Sequence, residues 1–122
     1  MKREEFEILV AEALDTLPEF FQDKLENVEV VLEDWPDTET LRRVGAHHPA
    51  DLLGFYHGIP QTHRTHHYGL VLPDKISIYR RPIEMRCATV AAMRAMVARV
   101  VRHEIGHHFG MSEEQLRKLG VY

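Results

Sequence analysis

Apolar residues in the first seventeen positions recur at helical spacing. Phe6, Leu9, Val10, Ala13 and Leu17 fall three or four residues apart between Lys2 and Leu17, which is the period of one helix face. Pro18 ends that pattern, because proline lacks the N–H that a helix interior needs. Pro18-Glu19-Phe20-Phe21 opens a second, short helical piece. The pattern then changes period. Val28-Glu29-Val30-Val31-Leu32 is β-branched and alternating, bounded by Asn27 and by Asp34-Trp35-Pro36, and reads as a strand. Leu52 to Tyr56 is a second strand, closed by Gly58 and Pro60. Lys75 to Arg80 is a third, with Ile76 and Ile78 alternating against Ser77 and Tyr79 up to Pro82. From Met85 to Phe109 the chain reads as one long helix, ended by Gly110. Ser112 with Gln115 three residues on forms a capping box that starts another helix. A helix, three strands and a long helix predict an α+β fold in one domain spanning residues 1–122.

Charge adds a division within the chain. Residues 1–40 carry 3 Lys/Arg against 13 Asp/Glu, a net of −10, whereas residues 41–111 carry 10 against 4, a net of +6. The simplest reading is that the acidic front complements the basic middle on folding; a basic groove for an acidic ligand is the alternative. The overall net charge of −4 argues against a nucleic-acid binder. The start, MKREEFEILV, has acids where a signal peptide has its apolar core. No apolar run approaches the ~20 residues that span a bilayer. Cys87 is the single cysteine, so no intrachain disulfide forms, and it reads as a small buried hydrophobe in a helical stretch. These features predict a cytoplasmic protein that binds neither nucleic acid nor membrane.

Candidate chemistry concentrates in VRHEIGHHFGMSEEQL, Val101 to Leu116. Successive helical residues turn by about 100°. With His103 at zero, Ala92 falls at about −20°, Met96 at about +20°, His107 at about +40° and Val100 at about +60°. Arg94 and Ala98 fall on the opposite side. This projection predicts that His103 and His107 prolong the apolar stripe facing the core. His103-Glu104-x-x-His107 is the H-E-x-x-H pattern. Its spacing puts two imidazoles on one face, about 6 Å apart along the axis, so that both reach one zinc ion at about 2.0–2.1 Å. Glu104 sits about 100° round the helix, placed to take a proton from a zinc-activated water. His108, at about +140°, lies off the ligand face.

A third ligand is needed. In zincins that continue H-E-x-x-H with x-x-G-x-x-H, the residue three after the glycine supplies it. That residue is Glu113, with Glu114 as the alternative and a solvated acidic first turn as the competing reading. His57, His63, His66 and His67 lie within eleven residues of FYHGIPQTHRTHHYG. They read as a polar loop, with a second metal site or a cleft lining as the alternative.

Three segments carry a family resemblance: Leu52-Leu53-Gly54-Phe55-Tyr56-x-Gly58-x-Pro60, then Leu72-Pro73-Asp74-Lys75-Ile76-x-Ile78-Tyr79-Arg80, then His103-Glu104-Ile105-x-His107-His108-Phe109-Gly110. The chain resembles the minimal zincin-like metallopeptidases, a small bacterial family. The resemblance implies a small sheet of three or four strands packed against the active-site helix. It implies one zinc per chain on His103 and His107, with Glu104 as the base. It also implies a peptide or protein substrate added along an edge strand, expected at Lys75–Arg80. Where many such proteins have an aspartate near Glu113 or Glu114, this chain has glutamates. Two readings of function follow. The first is a zinc-dependent peptidase; the alternative is a metal-stabilised peptide- or protein-binding module without turnover.

Overall fold

The computed structural model describes residues 1–58 and 73–118. In chain order its elements are helices α1 (Arg3–Asp15) and α2 (Glu19–Leu25), strand β1 (Val28–Glu33), helix α3 (Thr38–Val44), strands β2 (Gly54–His57) and β3 (Asp74–Tyr79), and helices α4 (Arg80–Arg86), α5 (Val90–His108) and α6 (Glu113–Lys118). The fold is α+β: a small mixed sheet, an N-terminal helix and a long helix that carries the H-E-x-x-H pattern.

The sheet order is β1-β3-β2. β1 runs parallel to β3, pairing Val30 with Ile76 and Leu32 with Ile78. β2 runs antiparallel to it, pairing Tyr56 with Ile76 and Gly54 with Ile78. These rows face the core, where Ile76 and Ile78 are fully buried with Phe6 and Leu9 of α1. The expectation of an edge strand at Lys75–Arg80 is therefore corrected. That segment forms the central strand, and its backbone groups are used on both sides; β2 is the antiparallel strand at one edge among the described residues. Arg80 lies outside the strand and opens α4. There its Nε donates to Asp34 Oδ1 at 2.9 Å, joining the end of β1 to the end of β3.

Two further expectations change. The long helix from Met85 is two helices, α4 and α5, separated at Cys87. Cys87 is extended, at φ −126° and ψ 129°, and Thr89 caps α5 by accepting from Ala92 N–H at 3.1 Å. The stripe of α5 that lies deepest in the core is also a different one. Val97, Val101 and Ile105, spaced by four residues, are fully buried, and they lie about 120–200° from His103. Ala98 is buried with them, whereas Ala92 is exposed. The cause is that α5 contacts both the sheet and α1, so its apolar side is broad. In the direction of His103, Val100 is buried in the core and Met96 packs against it, and both also border an open cleft that His103 lines.

Ion pairs run between the acidic front and the basic middle of the chain. Arg94 reaches Glu12 at 3.3 Å, and Arg80 reaches Asp34. Arg80 holds the Asp34 carboxyl below its ordinary range, chiefly through their hydrogen bond. α3 went unread in the sequence, although Asp37 caps it by accepting from Thr40 N–H at 2.7 Å and Gly45 closes it at φ 73°. Among the described residues no helix is long and apolar enough to cross a membrane.

Candidate metal centre

α5 presents His103 and His107 one turn apart. Their ring centroids are 5.7 Å apart at an interplanar angle of 73°. Two imidazoles sharing an ion at about 2.0–2.1 Å have centroids about 5–6 Å apart, so the pair fits one zinc without a helix distortion. His103 is half-buried and His107 is exposed. The case for a metal thus rests on their mutual geometry, and not on the cost of burying them in the core.

Glu104 is turned to a different neighbour. Its Oε2 accepts from the backbone N–H of Tyr56 at 3.2 Å, which ties it to β2. Burial raises the carboxyl pKa above the ordinary glutamate range; the Tyr56 N–H and the neighbouring His107 pull it partly back. A carboxyl shifted upward in this way is a stronger base than an ordinary glutamate.

β2 can approach α5 this closely because position 54 is glycine. A Cβ on Gly54 would lie 2.5 Å from Val100 Cγ1 and 3.0 Å from the Ser77 carbonyl oxygen. Between β2 and α5 opens a cleft of about 380 Å3, lined by Leu53, Gly54, Met96, Val100, His103 and Glu104 among others. Sequence reasoning missed how the end of α5 is fastened to the sheet. The His108 ring stacks on Tyr56 at 3.9 Å, and its Nε2 lies 3.8 Å from Asp74 Oδ2. Tyr56 Oη donates to the same carboxylate oxygen at 2.6 Å. Tyr56 and Asp74 lie inside the segments quoted for the family resemblance, but nothing in their spacing assigned them a role.

The chain after α5 folds back. Gly110 takes φ 79°, and Met111 N–H reaches the Gly106 carbonyl at 2.8 Å. The capping box forms: Gln115 N–H donates to Ser112 Oγ at 3.2 Å, and Ser112 N–H to Gln115 Oε1 at 2.8 Å. Leu116, fully buried, then lies over Gly106, where a Cβ would meet its Cδ2 at 2.6 Å. α6 is therefore docked on the histidine helix, with Glu113 as its first residue. The Glu113 side chain lies outside the described residues, and among those described no three potential ligands cluster. The Glu114 side chain is 80% exposed and lies 3.8 Å from Lys118 Nζ, turned to solvent.

His57 does not join this centre. Its Nε2 lies 3.2 Å from Ser77 Oγ, on the sheet face opposite the one occupied by Ile76 and Ile78. Burial, and then Lys75, lower its pKa. His63, His66 and His67 lie outside the described residues.

A family model described as zincin-like metallopeptidase matches residues 25–121, which include every element from β1 to α6. No curated protein matches the chain. The chain belongs to the zincin-like metallopeptidase family.

Proposed function

We propose that this member of the zincin-like metallopeptidase family is a zinc-dependent peptidase that cleaves an extended peptide laid along β2. The observation that carries the reading is the position of Glu104, with its carboxylate on the outer edge of β2, beside the histidine pair and at the mouth of the cleft. Tyr79 N–H donates to Leu53 O. The alternating residues Gly54 and Tyr56 therefore direct their backbone groups away from β3, toward the cleft. A peptide adding to that edge runs past Glu104.

His103 and His107, with Glu113 as third donor, would hold the zinc, which would supply Lewis-acid polarisation of the scissile carbonyl and a lowered pKa for the attacking water. Glu104 accepts a proton at its carboxylate from the attacking water as the carbon–oxygen bond forms. It then returns that proton to the amide nitrogen as the carbon–nitrogen bond breaks. The Tyr56 N–H orients the carboxylate, and Tyr56 is itself fixed through its stack on His108 and its hydrogen bond to Asp74. A binding module without turnover would have no use for a half-buried carboxylate aimed at the cleft.

The test combines metal analysis with peptide digestion followed by mass spectrometry. The parent should hold one zinc per chain and cleave peptides. His103→Ala and His107→Ala should lose the metal. Glu104→Gln should keep it and lose at least on the order of 10²-fold in rate. Zinc bound with no peptide cleaved would favour the binding module, and equal zinc in parent and histidine variants would refute the centre.

A further inference from the structure

The walls of the cleft bear arginines as well as the histidine centre. Arg86 and Arg99 both line it, and Glu104 is the one acid among the described residues that do. Arg99 lies four residues before His103 on α5, one turn away and on the same side as Met96 and Val100. Arg86 ends α4 on the opposing wall. Its Nη1 donates to the Ala50 carbonyl at 2.6 Å, and its Nη2 lies 4.0 Å from Asp51 Oδ1. The closer anchor is a neutral carbonyl, and the Asp51 carboxylate, largely exposed, stands at the limit of ion-pair distance.

We propose that the cleft selects peptides by a carboxylate bound between Arg86 and Arg99, close to the bond being cleaved. The proposal rests on the peptidase reading for what enters the cleft. Planar guanidinium groups suit carboxylates, because their N–H donors match the two oxygens. One helical turn is about 5–6 Å, and an extended peptide advances about 3.3 Å per residue. The carboxylate therefore belongs within about two residues of the scissile bond, on the side toward the N-terminus of α5. It is supplied either by an aspartate or glutamate side chain or by the free C-terminus of the peptide.

The experiment measures fluorescence anisotropy of labelled peptides on zinc-loaded Glu104→Gln protein, in which binding is read without turnover. Three peptides of one length are compared: an acidic one with an amidated C-terminus, its Asn/Gln counterpart with a free C-terminus, and the same counterpart amidated. At least one carboxylate-bearing peptide should bind about tenfold or more tightly than the neutral amide, the order of a charge-assisted hydrogen bond. Which of the two does so identifies the source of the carboxylate. Adding Arg99→Gln should abolish most of that advantage, and Arg86→Gln likewise, while Arg94→Gln, which pairs with Glu12, should leave it intact. Arg99 is exposed, so its replacement carries the test even if loss of the Arg86 anchor unfolds the chain. Equal binding of all three peptides, or a preference that survives Arg99→Gln, overturns the proposal. Hydrolysis of the same peptides by the parent is a separate readout. Acid-selective binding without cleavage would count against the peptidase reading alone.

Discussion

The contact between Gly106 and Leu116 gives a prediction with opposed terms. Gly→Ala inside a helix ordinarily stabilises by about 0.5–1 kcal/mol, because it restricts the unfolded backbone. Here the new methyl would stand 2.6 Å from Leu116 Cδ2, 3.1 Å from Cδ1 and 3.3 Å from Cγ. Leu116 is fully buried and has no open side to move toward, so overpacking should cost about 1–3 kcal/mol and outweigh the propensity gain. Leu116→Ala alone should cost about 2–5 kcal/mol, as for other large-to-small changes in a core. That substitution removes all three clashing atoms. In its background Gly106→Ala should become neutral or stabilising, giving a coupling on the order of 2 kcal/mol.

Urea denaturation of the four metal-free proteins, followed by circular dichroism, measures this cycle. Hydrogen exchange at the α6 amides shows whether the loss is global or an undocking of α6 alone. Effects that add within about 0.5 kcal/mol would refute the packing argument. The same proteins bear on the site. If α6 delivers Glu113, both single variants should weaken zinc binding, and the double variant should recover part of it.

Glu113→Ala should weaken zinc clearly in competition with a chelator, while Glu114→Ala, whose parent side chain is turned to solvent, should leave affinity nearly unchanged; the reverse order would move the ligand one residue on. Asp34→Asn tests the join between β1 and α4. Because Arg80 lowers the Asp34 pKa, the ionised carboxylate contributes stability that is present above the ordinary aspartate range and is lost as pH falls through the lowered folded-state value. The variant should therefore melt below the parent at neutral pH and converge with it in strong acid; a difference that persists unchanged into acid would mean that the loss is not one of charge.

The parts of this fold that were legible in the sequence are those set by neighbours a few residues apart. The amphipathic α1, the alternation in β1 and β3, the i and i+4 histidines and the Ser112–Gln115 capping box were all readable from spacing. What failed depended on distant contacts. Strand order is not encoded in alternation, so nothing local checked the edge position that the resemblance implied for Lys75–Arg80, which Val28–Glu33 and Gly54–His57 flank. The break at Cys87 was hidden because apolar spacing continues across it, and only Thr89 as an N-cap marked a new start. The core side of α5 was read too narrowly because its apolar side is broad: Val97-Val101-Ile105 lies deepest in the core, and Met96-Val100 packs at the core's edge where the cleft opens. Arg86 and Arg99 converge only because α4 turns back beside α5, which no local pattern announced.

The two unspecified positions of the H-E-x-x-H pattern carry as much of the construction as the three named ones. In His103-Glu104-Ile105-Gly106-His107 each residue answers to a different neighbour. The histidine rings stand 5.7 Å apart, His103 lining the cleft. Glu104 meets the backbone of β2, Ile105 is fully buried in the core, and Gly106 lies beneath Leu116 of α6. Ile105 fixes the rotation of the helix, since a polar residue there would have to turn outward and carry the histidines off the cleft. Gly106 fixes how closely α6, which begins at Glu113, approaches the histidine helix. For the proposed centre, a chain that kept His103, Glu104 and His107 but placed bulk at position 106 would push α6 off the histidine helix, so a match to the motif alone is a weaker sign of this arrangement than a match that includes the isoleucine and the glycine.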